Sequence, residues 1–508
     1  MARSTAAFGG WSREELISRI VQLEKTSTTK RVEASDDARS TNAFDASAYP
    51  RRKIALKFTY HGAHYSGLEY QVLPSSLPTV EGVLFDALVR HRLIDPLGGL
   101  QGCGWEKCGR TDKGVSAAAQ VVSLWVRSAL GERKQQREVT EENVTEENLS
   151  PEAESSQQSP ADDQLEGDLA MMGDWDEPPT NAALEKPAET TSEIPYVSKI
   201  NRALPPTIRI LAWSPVSDDF SARFSCRWRH YKYFFHPRGL DISAMQDAAL
   251  RLIGEHDFRN LCRVDASKQL TSFNRRILSA SIDPVEEDPN LYVLNLRGTA
   301  FLYNQVRHIM AVLFLVGTRL EQPSVIAALL NPDADNPRAP SREGEPQPPV
   351  VSCKPFYEMA DPFPLVLWDT GYDEDAVSWQ VDHKADAEVT PSTHPNSSDN
   401  VHDTMQAFLE RSEIHTALDA HFLRAAAKYH RPSPQYFPIR GEGVAPVQKN
   451  SVLAVPLGGG RTYRRGGEYT PLLLRERNLP VEEINSRWRL GKGAKRLERK
   501  AASVTEAE

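Results

Sequence analysis

Cysteine is scarce in this sequence of 508 residues. It occurs five times, as Cys103, Cys108, Cys226, Cys262 and Cys353. An odd, sparse set gives no disulfide framework and fits a reducing compartment. Cys103 and Cys108 have four residues between them and no second pair downstream, which argues against a zinc site. Long apolar runs are lacking as well. The longest, around Ile309 to Gly317, is about nine residues, far short of the ~20 that a membrane-spanning helix needs. The N-terminal "MARSTAAFGG" lacks the apolar stretch of a secretory signal, and Glu14 and Glu15 come early for a mitochondrial presequence. There is no glycine-rich nucleotide loop and no metal cluster, so neither a metal nor another cofactor is expected. What remains is 40% hydrophobic and 25% charged, enough for a globular body of two or three domains.

The net charge of −9 looks wrong for a partner of nucleic acid, but its distribution reverses that impression. Glu138 to Glu193 holds 17 acidic residues and one basic residue, a balance of −16. Gly371 to Thr404 holds eight acidic and one basic, a balance of −7, which leaves +14 on all other residues. Local charge, not the total, sets the field that a polyanion meets.

The pattern along the chain divides it. Residues 1–50 are a polar extension with one predicted helix, where Ser12 and Glu15 form a capping box. Residues 51–128 begin with the alternation Ile54, Leu56, Phe58 of a strand and continue with a helix capped by Thr79. Residues 129–195 are rich in Glu, Ser, Gln and Pro and are expected to be a disordered acidic insertion. Strand and helix patterns resume over 196–370, including a helix from Ser243 to about Gly254 that draws in "EHDF", and a long apolar helix, "AFLYNQVRHIMAVLFLVGTRL". Residues 371–403 read as an acidic linker. Residues 404–508 read as a helix with Ile414, Leu418, Phe422 and Ala425 on one face, then Pro-rich loops and a basic tail. The alternation in two blocks points to an α+β fold with two halves.

Three places carry chemistry. In "GRTDKG", Asp112 stands between Arg110 and Lys113, flanked by glycines. A turn is the plainer reading. The other is a carboxylate held ionised by a neighbouring guanidinium, ready as a nucleophile or base. In "CRWRHYKYFFHPR", Tyr231, Tyr233 and Phe235 alternate among cations. Tyr233 and Phe235 suit a core strand, while an aromatic ring among Arg and Lys also suits base stacking, worth ~1–3 kcal/mol per base. In the apolar helix, Arg307 needs an acid partner or an opening to solvent. A structural ion pair is one reading, and a bridge to Asp112 is the other.

Together these segments resemble the TruA-type tRNA pseudouridine synthase family. "GRTDKGVSA" is similar to the signature around its catalytic aspartate, "FSARFSCRWRHYKYFF" to the segment with its active-site tyrosine, and "AFLYNQVRHIMAVLFLVG" to its helix with an inward arginine. "KFTYHGAHYSGLEYQ" resembles its first strand and loop, while "GEHDFRNLCRVDASK" and "YTPLLLRERNLPVEEINSRW" resemble the eukaryotic branch acting at tRNA positions 38 and 39. Ser116, where bacterial members often carry His, and Glu69 are departures that leave the aspartate untouched. The resemblance implies two pseudo-symmetric halves with antiparallel sheets joined across a basic cleft, helices on the outer side, and a homodimer. It implies Asp112 as the catalytic carboxylate, Tyr231 stacked on the target uracil, Arg307 paired with Asp112, and Arg110 displacing the target base. tRNA is the implied partner, with no membrane, and nucleus and cytoplasm are the implied compartments. Other RNA targets, or an inactive RNA-binding protein, are the alternatives.

Overall fold

The computed structural model describes residues 46–71, 75–130, 193–286, 288–382, 400–431, 452–466 and 469–495. The expected N-terminal helix, nearly all of the acidic stretch 129–195 and the end of the basic tail lie outside those residues. No helix among the described residues is long and apolar enough to cross a membrane.

The chain starts with β1 (Arg51–Tyr60), in which Ile54, Leu56 and Phe58 are buried, as their spacing predicts. Helix α1 (Val80–Arg90) follows, and the Thr79 hydroxyl accepts the Gly82 N–H at its start. Then come β2 (Glu106–Lys107), β3 (Ser116–Arg127), α2 (Tyr196–Ala203), β4 (Ile208–Pro215), β5 (Trp228–Phe235) and α3 (Ile242–Leu250). Next are β6 (Gly254–Asp257), β7 (Asn274–Pro284), β8 (Tyr292–Gly298), α4 (Gln305–Gly317) and β9 (Leu365–Gly371). The C-terminal part holds α5 (Val401–Ala427), β10 (Val452–Gly458), β11 (Arg461–Gly466) and α6 (Val481–Trp488).

Nine strands form one mixed sheet in the order β4-β1-β3-β9-β5-β8-β7-β6, with β2 added on β3. All pairings are antiparallel except β3 with β9, which joins through Ser116↔Val366 and Ala117↔Leu367. Strand β4, grouped by sequence with the second block, pairs with β1 of the first. Helix α4 is buried along its length with one exception, Arg307, as a helix that is apolar all round must be. On the opposite face of β1 from Ile54, Ala55 is buried with Cys108, Val121, Phe220, Ala222 and Cys226. The two sulfurs there lie 3.5 Å apart as free thiols.

Four sequence expectations need correction. The segment "EHDF" is not helical: Gly254, at φ +109°, turns the chain out of the helix and into β6. Residues 372–382 do not behave as a linker. Tyr372, Val377 and Trp379 pack on the Ala55 cluster, and the Asp382 carboxylate accepts the N–H groups of Val197 and Ser198 at the start of α2. The expected Pro-rich loops contain the β10–β11 hairpin, whose turn residues Gly459 and Gly460 have φ of +57° and +75°. The long apolar helix begins at Gln305 and not at Ala300, because Asn304 before it is left-handed; in α5, Ile414, Leu418 and Phe422 are exposed, and the Phe408 ring lies 5.1 Å from that of His61.

Candidate active site

Asp112 lies in the loop between β2 and β3, and its backbone is tightly held. Thr111 Oγ1 is 2.6 Å from the buried Tyr60 hydroxyl, and Thr111 O accepts the Leu68 N–H. Gln120 Nε2 donates to Gly109 O at 2.9 Å, and the Val115 N–H closes a turn on Asp112 O. The loop after β1 packs against this turn. A Cβ added to Gly62 would meet Val115 O at 2.1 Å, so only glycine allows that approach. Gly114 of "GRTDKG" does serve the turn, at φ +85°. The turn in turn aims a carboxylate.

Two side chains from the start of α4 meet that carboxylate. Arg307 Nη1 is 3.3 Å from Asp112 Oδ2. Asn304 Nδ2 also donates to Oδ2. Arg307 is oriented by a second bond, Nε to Ala360 O at 2.8 Å. Asp112 Oδ1 has no protein partner among the described residues, and the side chain keeps 24% of its exposure. One oxygen is thus fixed while the other is left for a ligand.

Tyr231 is in β5, beside β9, with its ring 5.0 Å from Phe301 in an edge-on arrangement. Burial raises its pKa well above the ordinary phenol value, with the charges of Cys108 and Asp112 adding to the rise. The phenol is therefore neutral at pH 7 and offers a ring and an O–H, not a phenolate. Tyr233 and Phe235 are core residues: Tyr233 donates to Asp361 O and Leu457 O. Arg110 is half exposed at the rim, with Nη2 2.8 Å from Glu69 Oε1. Glu69 also lies 3.6 Å from Lys107, which pairs with buried Glu81 at 2.6 Å. Asp112 and Arg307 are thus brought into contact, Tyr231 lies within electrostatic range of Asp112, and Arg110 is held on the surface by Glu69.

Two participants escaped the sequence reading. Asn304 was one, because the apolar pattern from Ala300 onward draws it into the helix, whereas the helix begins at Gln305. The other is Arg229, whose guanidinium donates to Cys108 O at 2.9 Å, Thr299 O at 2.7 Å and Arg223 O at 2.8 Å. It ties the root of the Asp112 loop to the strand of Tyr231. In sequence it was one more cation in a basic run. No group of three His, Cys, Asp or Glu side chains suited to a metal occurs among the described residues.

A family model described as tRNA pseudouridine synthase matches residues 248–373, the span that contains Asn304, Arg307 and Ala360. The tRNA pseudouridine(38/39) synthase of Saccharomyces cerevisiae is 35% identical over 399 residues, covering 75% of this chain and 74% of that protein. The chain belongs to the tRNA pseudouridine synthase family. It is an isomerase of that class. The Homo sapiens protein named tRNA pseudouridine(38/39) synthase is 37% identical, over 73% of this chain and 68% of its own length. A member named tRNA pseudouridine synthase A, from Methanothrix thermoacetophila, is 27% identical over 65% of this chain and 86% of its own.

Proposed function

We propose that this enzyme converts uridine to pseudouridine at positions 38 and 39 of the tRNA anticodon stem-loop, with Asp112 as the catalytic carboxylate. The observation that carries the reading is the asymmetric hold on Asp112: Oδ2 is taken by Asn304 and Arg307, and Oδ1 has no partner among the described residues. The reaction breaks the N1–C1′ bond, turns the uracil and joins C5 to C1′, with no net exchange of electrons or water. An ionised oxygen facing the ribose serves either route, attack on C1′ or removal of the C2′ proton. Arg307, itself held by Ala360 O, aims the carboxylate. Tyr231 stacks on the uracil. Arg110 leaves Glu69 to displace the target base and hold it out. Extrusion costs a few kcal/mol, least near a loop, which suits a target at the stem–loop junction.

The finer architecture belongs to the same reading: pseudo-symmetric halves, 51–128 and 196–370, a basic cleft between them that grips RNA by shape, a homodimer, and residence in nucleus and cytoplasm. Tritium release from tRNA labelled with 5-³H-uridine, together with site-resolved mapping of pseudouridine, tests the catalytic part. The unaltered protein releases tritium and modifies positions 38 and 39. Asp112→Asn releases none and still binds tRNA. Release by Asp112→Asn removes the catalytic assignment, and product confined to other positions removes the assigned targets.

A further inference from the structure

Beside the catalytic helix, a cavity of about 180 Å³ opens between the turn at 259–264, the segment 352–354 and the C-terminal residues 478–484. Its C-terminal wall is anchored: Asn478 N–H donates to Lys354 O at 2.8 Å, and Pro355 bridges to Arg477. Three cations line it, and their partners differ. Arg259 is neutralised by Asp257 at 2.8 Å, with Glu482 and Asp333 adding to the field on it. Among the described residues, Lys354 has no carboxylate partner. Its Nζ donates to Cys262 O at 2.9 Å, lies 3.0 Å from His308 Nε2, and sits 4.9 Å from the Tyr357 ring. Arg263 has none either. Its N–H donates to Tyr303 O at 2.9 Å, and its exposed guanidinium lies 5.9 Å from the Tyr303 ring.

A largely buried cation without an acid is costly, and Lys354 meets only a carbonyl, a neutral imidazole and a ring, while Arg263 beside it is exposed. Burial holds His308 neutral, so it adds no charge of either sign, and burial together with Arg263 lowers the Lys354 pKa to about 8. A bound anion would give Lys354 its missing partner and lie within reach of Arg263, which lines the same cavity. The cavity is also connected to the reaction centre. Arg263 bonds to Tyr303, an exposed aromatic residue, and the next residue is Asn304, which holds Asp112.

We propose that this cavity receives a phosphodiester of the tRNA backbone, with Lys354 and Arg263 supplying the positive charge. The inference rests on the proposed action on tRNA and adds a specific contact to it. Equilibrium tRNA binding measured across a salt series tests it, with Arg263→Gln and Lys354→Met beside the unaltered protein. Each lost phosphate contact lowers the slope of log affinity against log salt by ~1. Arg263→Gln is expected to show that loss and Arg263→Lys to restore the slope. Arg263 reaches solvent, so its variants keep the packing that Lys354→Met disturbs.

Unchanged slopes in both Arg263→Gln and Lys354→Met overturn the proposal. Thermal shifts with inorganic phosphate separate the sources. Stabilisation of the unaltered protein but not of Lys354→Met, with tRNA slopes unchanged, makes the cavity a free-anion site and also overturns it. Failure of the broader reading is visible elsewhere, as the absence of tritium release from the unaltered protein.

Discussion

Asn304 adopts the left-handed conformation, φ 58° and ψ 14°, at the head of α4. Asparagine tolerates that region better than most residues. Its side chain makes no cap bond to its own helix and reaches Asp112 instead. A hydrogen bond to a charged group is worth about 1.5–3 kcal/mol, so its loss should slow the chemical step ~10- to 100-fold. Asn304→Gly keeps the backbone geometry and is expected to show that fall in single-turnover rate with little change in melting temperature. Asn304→Ala should lose the same rate and also be less stable by ~1–2 kcal/mol. A single-turnover rate unchanged in Asn304→Gly would show that the amide does not position the acid. At this scale the sequence was legible where a charge sat in contrary surroundings: Asp112 among cations, Arg307 in an apolar helix. It was silent where the residue did not stand out, as with Asn304 inside the expected helix and Arg229 among arginines.

The loop after β1 and the Asp112 loop behave as one packed unit. Gly62→Ala places a methyl 2.1 Å from Val115 O, where backbone must give way. Overpacking of this kind costs ~1–3 kcal/mol. Denaturant titration should show the loss, and turnover should fall with it, because Val115 and Asp112 share one turn. Helix α4 adds a pH response. Burial first, then the charges of Lys354 and Arg307, lower the His308 pKa to about 2. The folded state thus keeps a neutral imidazole while the unfolded chain gains a proton below about pH 6.5. Its contribution to stability is whole above that pH and declines toward pH 2. Between pH 7.5 and 5 the protein should lose roughly 2 kcal/mol more than His308→Gln, measured by denaturant unfolding at both values. Elements with a strong period, such as β1, α1 and α4, were legible in advance. Strand β6 and the β10–β11 hairpin were not, because positive-φ glycines, Gly254 in one and Gly458 to Gly460 in the other, decide them and the apolar period does not.

At the scale of the molecule, the two blocks seen in the sequence meet in one sheet. Which strand would lie beside which could not be read, because strand order depends on packing between distant segments. The acidic segment is bracketed by a local clasp. The Glu193 carboxylate accepts from Ser128 Oγ at 2.8 Å and from Ala129 N at 2.9 Å, so the chain departs and returns at one place. Replacing residues 131–192 by a short Gly-Ser linker should leave tritium release intact, since loop closure depends only weakly on length. Removing most of that negative charge should strengthen tRNA binding at low salt. Loss of release on excision would give the segment a direct role in the reaction.

The parallel contact between β3 and β9 has a consequence for synthesis. Thr370 Oγ1 donates to Ala119 O across 251 residues of chain. At ~5–20 residues per second, the strand behind the aspartate waits roughly 10–50 s on the ribosome for its neighbour. Through that interval its edge is open to chaperones or to strands of other nascent chains. A message cut short before codon 365 would release a polypeptide in which the Asp112 loop is complete and Arg307 translated, but the strand that joins β3 to β5 within the one sheet is missing.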